Sequence, residues 1–316
     1  MEVAAGIHFV QRGWANANAI YLAGKQAALV DPGSEAGFAG LIKSLQALDL
    51  DPSSIQTIWN THTHWDHCGA NEALTKLTGA EIWSGELTRE WMGKPERELM
   101  WLDFFEADMP VCAPSKAFEA DSLVYLGSHE WQIIHLPGHA PDLCGLWQPQ
   151  ERILISADAL LPGGDCGILN TALHGWDECL SGARRSVERM KALQPRIVLP
   201  GHGPIIENVG EALEGLSRKL DQFEQKPPKL VRHLLARILV AAVLELEHPV
   251  PEKYFFEWAD RSPWAEPYAR IMEMPVQQMI RESLDYLLAQ GTLYQVHSGT
   301  DQSEHSSPLL SSPVPR

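Results

Sequence analysis

The stretch NTHTHWDHCGAN, residues 60–71, sets three histidines and one aspartate within six positions: His62, His64, Asp66 and His67. That is too much imidazole for a surface turn and too polar for a core. His62 and His64 are two apart, so on an extended segment they face the same side. Asp66 and His67 follow so closely that the chain must turn there. Neutral imidazole and carboxylate are donors that zinc and similar metals accept. A lone histidine is ordinarily a packed or solvated residue; four such groups in six positions are read as ligands.

A catalytic metal site needs more donors, and three places downstream offer them. His139 lies in LPGHAPD, Asp158 in LISADAL and His202 in VLPGHGP, each directly after an apolar run. Pro and Gly beside the histidines hold exposed loops in tight turns. Polar residues at strand ends are where sites in layered α/β folds tend to lie.

The surrounding texture agrees with such a fold. IHFVQRG and ANAIYLAGKQAALVDPG read as paired strands. Phe38, Leu41, Ile42, Leu45 and Leu48 recur at helical spacing. IQTIWNT is a short strand ending at the histidine cluster, ANEALTKLTG a helix closed by Gly79, and AEIWSG the next strand. DSLVYLG, EWQIIHLPG and ERILISADAL continue the strands, and a helix near 176–193 leads into RIVLPGHGP. This alternation predicts an α/β layered domain over residues 1–225.

From residue 226 the texture changes. KPPKLVRHLLARILVAAVLELEHPVP is an amphipathic helix with Leu230, Leu234, Ile238 and Ala242 on one stripe. A second helix, VQQMIRESLDYLLAQ, stops at Gly291 before a short strand. Residues 226–297 are therefore expected to form a small, mostly helical, winged-helix-like module, packed over the site's edge or making a homodimer contact. Residues 298–316, rich in Ser and Pro, are expected to be a disordered tail. Lys226, Lys229, His233 and Arg237 form a basic stripe on the first of these helices, read as its solvated face.

Bulk composition narrows the classes. The 316 residues carry 45% hydrophobic and 21% charged side chains, enough for a sizeable core. A formal charge of −16 argues against nucleic acid as a partner. No apolar run reaches membrane-spanning length, and the N-terminus has no basic region ahead of an apolar one. Five cysteines without tight spacing read as free thiols, consistent with a cytoplasmic protein.

Together THTHWDH, PGHAPD, SADAL and PGHGP resemble the metal-binding motifs of the metallo-β-lactamase superfamily, over roughly residues 5–210, and LVDPG near residue 33 resembles an earlier motif of that family. SADALLPGG, VLPGHGP and the trailing helices are similar to its branch with a C-terminal winged-helix-like domain, which includes an endoribonuclease and thioesterases. The resemblance implies an αββα sandwich holding two divalent ions. It implies His62, His64 and His139 for the first, Asp66, His67 and His202 for the second, and Asp158 bridging both. The donors suit zinc, while iron and manganese accept the same groups. Two such ions about 3.5–4 Å apart hold a hydroxide that attacks a carbonyl carbon or a phosphorus. Asp66 is also a candidate catalytic group, steering water or carrying a proton. The best-known β-lactamase classes carry Cys where this chain has Asp158, which disfavours antibiotic hydrolysis. Cys68 is read as packing, and Asp31 as either a partner for a ligand histidine or a turn residue, the second slightly preferred.

For the substrate, segment 86–117 offers Trp91, Met92, Met100, Trp101, Phe104, Phe105 and Met109. A core is the plainer reading and a pocket wall the functional one. Trp101, Phe104, Phe105 and His174 are the candidate contacts to a small-molecule substrate. A thioester or ester with an apolar acyl or aromatic group is the first expectation, and a lactone is chemically close. A phosphodiester in RNA is the alternative from another class, and a non-enzymatic ligand sensor a third. GHGP stands where hydroxyacylglutathione hydrolases typically carry GHEY, and basic residues for glutathione are not evident.

Overall fold

The computed structural model describes residues 1–13, 16–245, 249–296 and 309–311. Its first sheet runs in sequence order through Glu2–Ala4 (β1), Ile7–Val10 (β2), Ala19–Leu22 (β3), Ala28–Val30 (β4), Thr57–Asn60 (β5), Glu81–Gly85 (β6) and Lys116–Phe118 (β7). The second comprises Leu123–Leu126 (β8), His129–His135 (β9), Cys144–Gln148 (β10), Ile153–Ala157 (β11) and Ile197–Pro200 (β12), again as sequence neighbours.

Strand alternation explains the layers. In β3 and β4, Ile20, Leu22, Ala28 and Val30 face inward and meet Val124, Leu126, Trp131, Ile133, Leu146 and Ile155 of the second sheet. Tyr21 and Leu29, one residue out of phase, face the other way and pack on Leu41, Leu45 and Leu74. Those leucines belong to the helices Phe38–Ala47 (α1) and Asn71–Thr78 (α3), which flank the four-residue helix Trp65–Cys68 (α2). Gly79 closes α3 at φ 72°, a left-handed terminus that glycine adopts without steric cost. The outer face of the second sheet is covered by Trp176–Leu193 and Val209–Gln225 within one large apolar cluster. The result is an αββα sandwich.

Segment 86–117 is only partly helical. Glu86–Gly93 and Leu102–Phe105 are helices, and Lys116–Phe118 is the edge strand β7. Pro95, Pro110 and Pro114 interrupt the backbone bonds a longer helix needs. The helix Val209–Gln225 was not legible beforehand, nor were Glu252–Arg261 and Ala265–Met272 in the C-terminal region.

After Lys226 comes helix Pro227–Glu245, whose Leu230, Leu234, Ile238 and Ala242 are all buried. They join the same apolar cluster that covers the second sheet, so the C-terminal helices share a core with the sandwich. Val276–Ala289 follows, stopped by Gly291. A third sheet pairs Val250–Pro251 (β13), Tyr294–Val296 (β14) and Leu309–Ser311 (β15), with β15 in the middle. Within 298–316, read as a disordered tail, the described residues Leu309–Ser311 form a strand. Ser and Pro dominate the average, but the run Leu309–Leu310 is apolar and Leu310 is fully buried between its two partners. Residues 297–308 and 312–316 lie outside the described residues.

Candidate metal centre

Four strands end at one edge of the sandwich and deliver the polar residues there. β4 and β5 are parallel, as are β11 and β12, so each pair releases its following loops on the same side. Asp31 follows β4, the histidine cluster follows β5, Asp158 follows β11 and His202 follows β12. His139 arrives from the loop after β9. Asp31 and Ala157 carry positive φ (51° and 46°), so the chain bends sharply where it leaves β4 and β11.

All seven proposed ligands meet at this edge. His62, His64 and His139 bring ring nitrogens together: His64 Nδ1 lies 3.0 Å from His62 Nε2 and 2.9 Å from His139 Nε2. Asp66, His67 and His202 form a second group, with Asp66 Oδ2 3.1 Å from His202 Nε2 and 3.8 Å from His67 Nε2. Asp158 stands between them. Its Oδ2 is 3.5 Å from His139 Nε2, and its Oδ1 is 3.6 Å from His67 Nε2 and 3.7 Å from His202 Nε2.

The outer hydrogen bonds fix which ring nitrogens are left to bind. His139 Nδ1–H donates to the Ile168 carbonyl at 2.9 Å. His67 Nδ1–H donates to Asp31 Oδ2 at 2.8 Å. Thr61 Oγ1 donates to the same oxygen of Asp31 at 2.7 Å, so it accepts from His62 Nδ1–H at 2.9 Å. The opposite nitrogens of all three rings are therefore the ones aimed inward. Asp31 is thus more than a turn residue: it orients His67 directly and His62 through Thr61.

The chemistry of the cluster fits divalent ions. Ring nitrogens of His62 and His139 lie within 3.0 Å of His64 Nδ1, a crowding that a cation among them would relieve; the edge of a tetrahedron of Zn–N bonds is about 3.3 Å. Buried His67 Nε2 and Asp158 Oδ1 have no hydrogen-bond partner. Burial, reinforced by neighbouring imidazoles, holds His62 and His64 well below the ordinary histidine value, which keeps them neutral and able to coordinate. His67 behaves oppositely. Burial alone would lower it, but Asp66, Asp31 and Asp158 outweigh burial and raise it to about 10. A field that holds a proton so firmly favours any cation at that spot. Asp66 is half-buried, and desolvation would raise its carboxyl, yet His67 and His202 keep it well below the usual range, and so ionised.

Two glycines permit this crowding. A Cβ on Gly201 would lie 2.2 Å from Asp158 Oδ1 and 3.0 Å from His67 Cε1; one on Gly167 would lie 2.2 Å from His139 Nδ1. The Gly before His202 is therefore required by close approach.

A cavity of about 250 Å³ opens from the cluster. Trp65, Trp101, Phe105, Leu161, Ile168, Ala241 and Leu244 wall it, with His64, Asp66, His139, Asp158 and His202 on its polar side. Trp101, at φ 62°, lays its indole 4.2 Å from the His64 ring. Phe104 does not line the cavity; it packs behind Trp101 and Phe105, with ring centroids 5.6 and 4.9 Å away. His174 does not line it either: its ring is parallel to Trp91 at 6.5 Å, and burial lowers its pKa to about 4. Cys68 Sγ donates to the Thr63 and His64 carbonyls, the packing role expected of it.

Several residues here were missed. Asn18 donates to the Pro200 and Gly203 carbonyls, clamping the loop that carries His202. Asp142, fully buried, accepts from the Thr63 amide between His62 and His64 at 2.9 Å, and from Thr88 Oγ1 at 3.0 Å. Its place in PGHAPD was the only signal. The basic stripe also reads differently in three dimensions. His233 and Arg237 turn inward onto Asp165 rather than to solvent, an acid the helical sequence itself does not contain.

An αββα sandwich with this cluster at one edge defines a metal-dependent hydrolase. The model of the metallo-beta-lactamase superfamily matches residues 12–202, and the chain belongs to that superfamily. The chain is similar to hydroxyacylglutathione hydrolase GloC of Haemophilus influenzae, 28% identical over 182 residues, covering 57% of this chain and 81% of that protein. It is also similar to a beta-lactamase-like protein 2 homolog of Caenorhabditis elegans, 27% identical over 215 residues, covering 67% of this chain and 61% of that one. A metallo-beta-lactamase family protein from Thermus thermophilus superposes with TM-score 0.58 at 18% identity, over 98% of this chain and 100% of that one. The class B3 di-zinc metallo-beta-lactamase LRA-12 from an Alaskan soil metagenome gives 0.56 at 16%, over 71% and 92%. At these identities the structural likeness shows the fold. Among the described residues no helix is long and apolar enough to cross a membrane.

Proposed function

We propose that the chain hydrolyses an ester or thioester with an apolar acyl group, using two divalent ions, zinc by preference of the donor set. His62, His64 and His139 would hold one ion and Asp66, His67 and His202 the other, with Asp158 placed between the two groups. When bound, the ions polarise the carbonyl and bring the pKa of a bound water from 15.7 towards about 7. The ionised Asp66 carboxylate, which lines the cavity, orients the attacking water. Trp101 covers His64 and keeps bulk water off that side of the cluster. The observation that carries the reading is the cavity itself: beyond the proposed ligands its wall is apolar apart from Asp165 and Arg237. Similarity to a hydroxyacylglutathione hydrolase supports thioester chemistry. A lactone presents the same carbonyl and belongs to the same reading.

A phosphodiester reading has one observation in its favour. Arg218, Lys219, Lys229 and His233 line a surface groove in a chain of net charge −16. That groove is separate from the cavity beside the ligands, and so ranks second.

The test is metal analysis of the purified protein, then turnover of a thioester, an ester, a lactone and a phosphodiester at two salt concentrations. Two equivalents of metal and salt-insensitive ester or thioester turnover are expected. Turnover of the phosphodiester alone, falling steeply with salt, would overturn the reading. Full metal content and activity in both His62→Ala and Asp158→Ala would remove the dinuclear assignment.

A further inference from the structure

One Lys or Arg side chain lines the cavity among its described residues: Arg237, from the helix Pro227–Glu245. Its Nη1 donates to the Cys166 carbonyl and lies 3.3 Å from Asp165 Oδ1. Its Nε and Nη2 make no hydrogen bond to any described residue. Asp165 also lines the cavity, but its charge is taken up elsewhere as well. Lys219 Nζ is 3.0 Å from Oδ2, and His233 Nε2 is 3.3 Å from Oδ1. One carboxylate thus faces two permanent cations, Lys219 and Arg237, beside His233, leaving at least one positive charge in excess.

A guanidinium at 16% exposure, with two unused donors and apolar neighbours, is built to bind an anion. Its planar fork matches a carboxylate in two parallel hydrogen bonds. The walls formed by Phe105, Leu161, Ile168, Ala241 and Leu244 suit methylenes. One excess charge matches one carboxylate better than a doubly charged phosphate.

We propose that Arg237 is a specificity-determining residue that pairs with a carboxylate at the far end of the acyl chain, so that the preferred substrates are half-esters or half-thioesters of dicarboxylic acids. This rests on the ester and thioester reading above. Hydrolysis adds water across the acyl bond, giving a dicarboxylate and an alcohol or thiol. The ordinary structural role for Arg237, tying the Asp165–Cys166 loop to the helix, predicts no such preference.

The experiment measures binding and turnover separately on the metal-loaded protein. Quenching of fluorescence from Trp65 and Trp101 reports occupancy of the cavity. Glutarate is compared with pentanoate and adipate with hexanoate, pairs equal in carbon count, and the corresponding phenyl half-esters and esters are assayed for hydrolysis. In the wild type, the dicarboxylates are expected to bind about tenfold or more tightly than their partners. Arg237→Met should abolish that ratio, and Arg237→Lys should retain part of it, with folding checked by thermal melting. Absence of a preference in the wild type overturns the proposal, even if Arg237→Met fails to fold. So does a preference that survives in Arg237→Met. Preferential binding with no hydrolysis of any ester keeps Arg237's role and rejects the hydrolytic reading. Hydrolysis of apolar esters without preference does the reverse.

Discussion

Asp31 Oδ2 accepts a 2.8 Å hydrogen bond from His67 Nδ1, across 36 residues of sequence and two neighbouring strand ends. The same carboxylate also takes the amide and hydroxyl of Thr61. One side chain thereby sets the orientation of His67 and, through Thr61, of His62. Asp31→Ala is expected to weaken metal retention about 10–100-fold. The measurement is metal content after dialysis against graded chelator, and unchanged retention would reduce Asp31 to a turn residue.

Gly201 tests the crowding argument. Gly201→Ala should displace Asp158 or His67 and lower metal affinity and turnover together, by about tenfold or more. Gly210→Ala is the matched control: it lies in the helix Val209–Gln225 with nothing within 4 Å of the added Cβ. That variant should retain activity and gain up to about 1 kcal/mol of stability. Comparable metal loss in both would point to general intolerance instead.

Asp142 makes stability depend on pH. Burial outweighs its hydrogen bonds with Thr88 and Thr63 and raises it from 3.8 to about 7. A carboxyl whose folded value is raised stabilises the fold fully below about pH 4, and that stability is lost as pH rises through about 7. Asp142→Asn keeps an oxygen acceptor without the titration. Denaturant midpoints of wild type relative to this variant should fall between pH 4 and 7; parallel curves would show that Asp142 does not titrate in that window.

Ala241 brings the helix Pro227–Glu245 to the cavity wall. Ala241→Phe puts an aromatic ring on the cavity wall and should shorten the acyl chains accepted. A series of acyl esters is expected to show kcat/KM falling more than about tenfold for long chains, with short ones retained. Equal losses along the series would mean that the helix does not meet the acyl group.

The histidine cluster was readable because ligands close in sequence are close in space, and the later donors each follow an apolar strand. Asp31 was misjudged because Asp-Pro-Gly is also turn chemistry, and only the parallel pairing of β4 with β5 brings it to His67. Arg237 looked solvated because its partner Asp165 is 72 residues away and invisible to helical spacing. His174 and Phe104 have the right residue types nearby, but their ring contacts hold them off the cavity. Leu309–Ser311 escaped a composition-based reading, since three residues of strand barely move an average.

The side of the cavity that carries the proposed ligands is encoded before residue 203, while Arg237, Ala241 and Leu244 come from a helix that supplies none of them. Inheritance can therefore treat them separately: substitutions along that helix reshape the cavity while leaving the seven proposed ligands in place. For an engineer, the helix is the natural place to build a library.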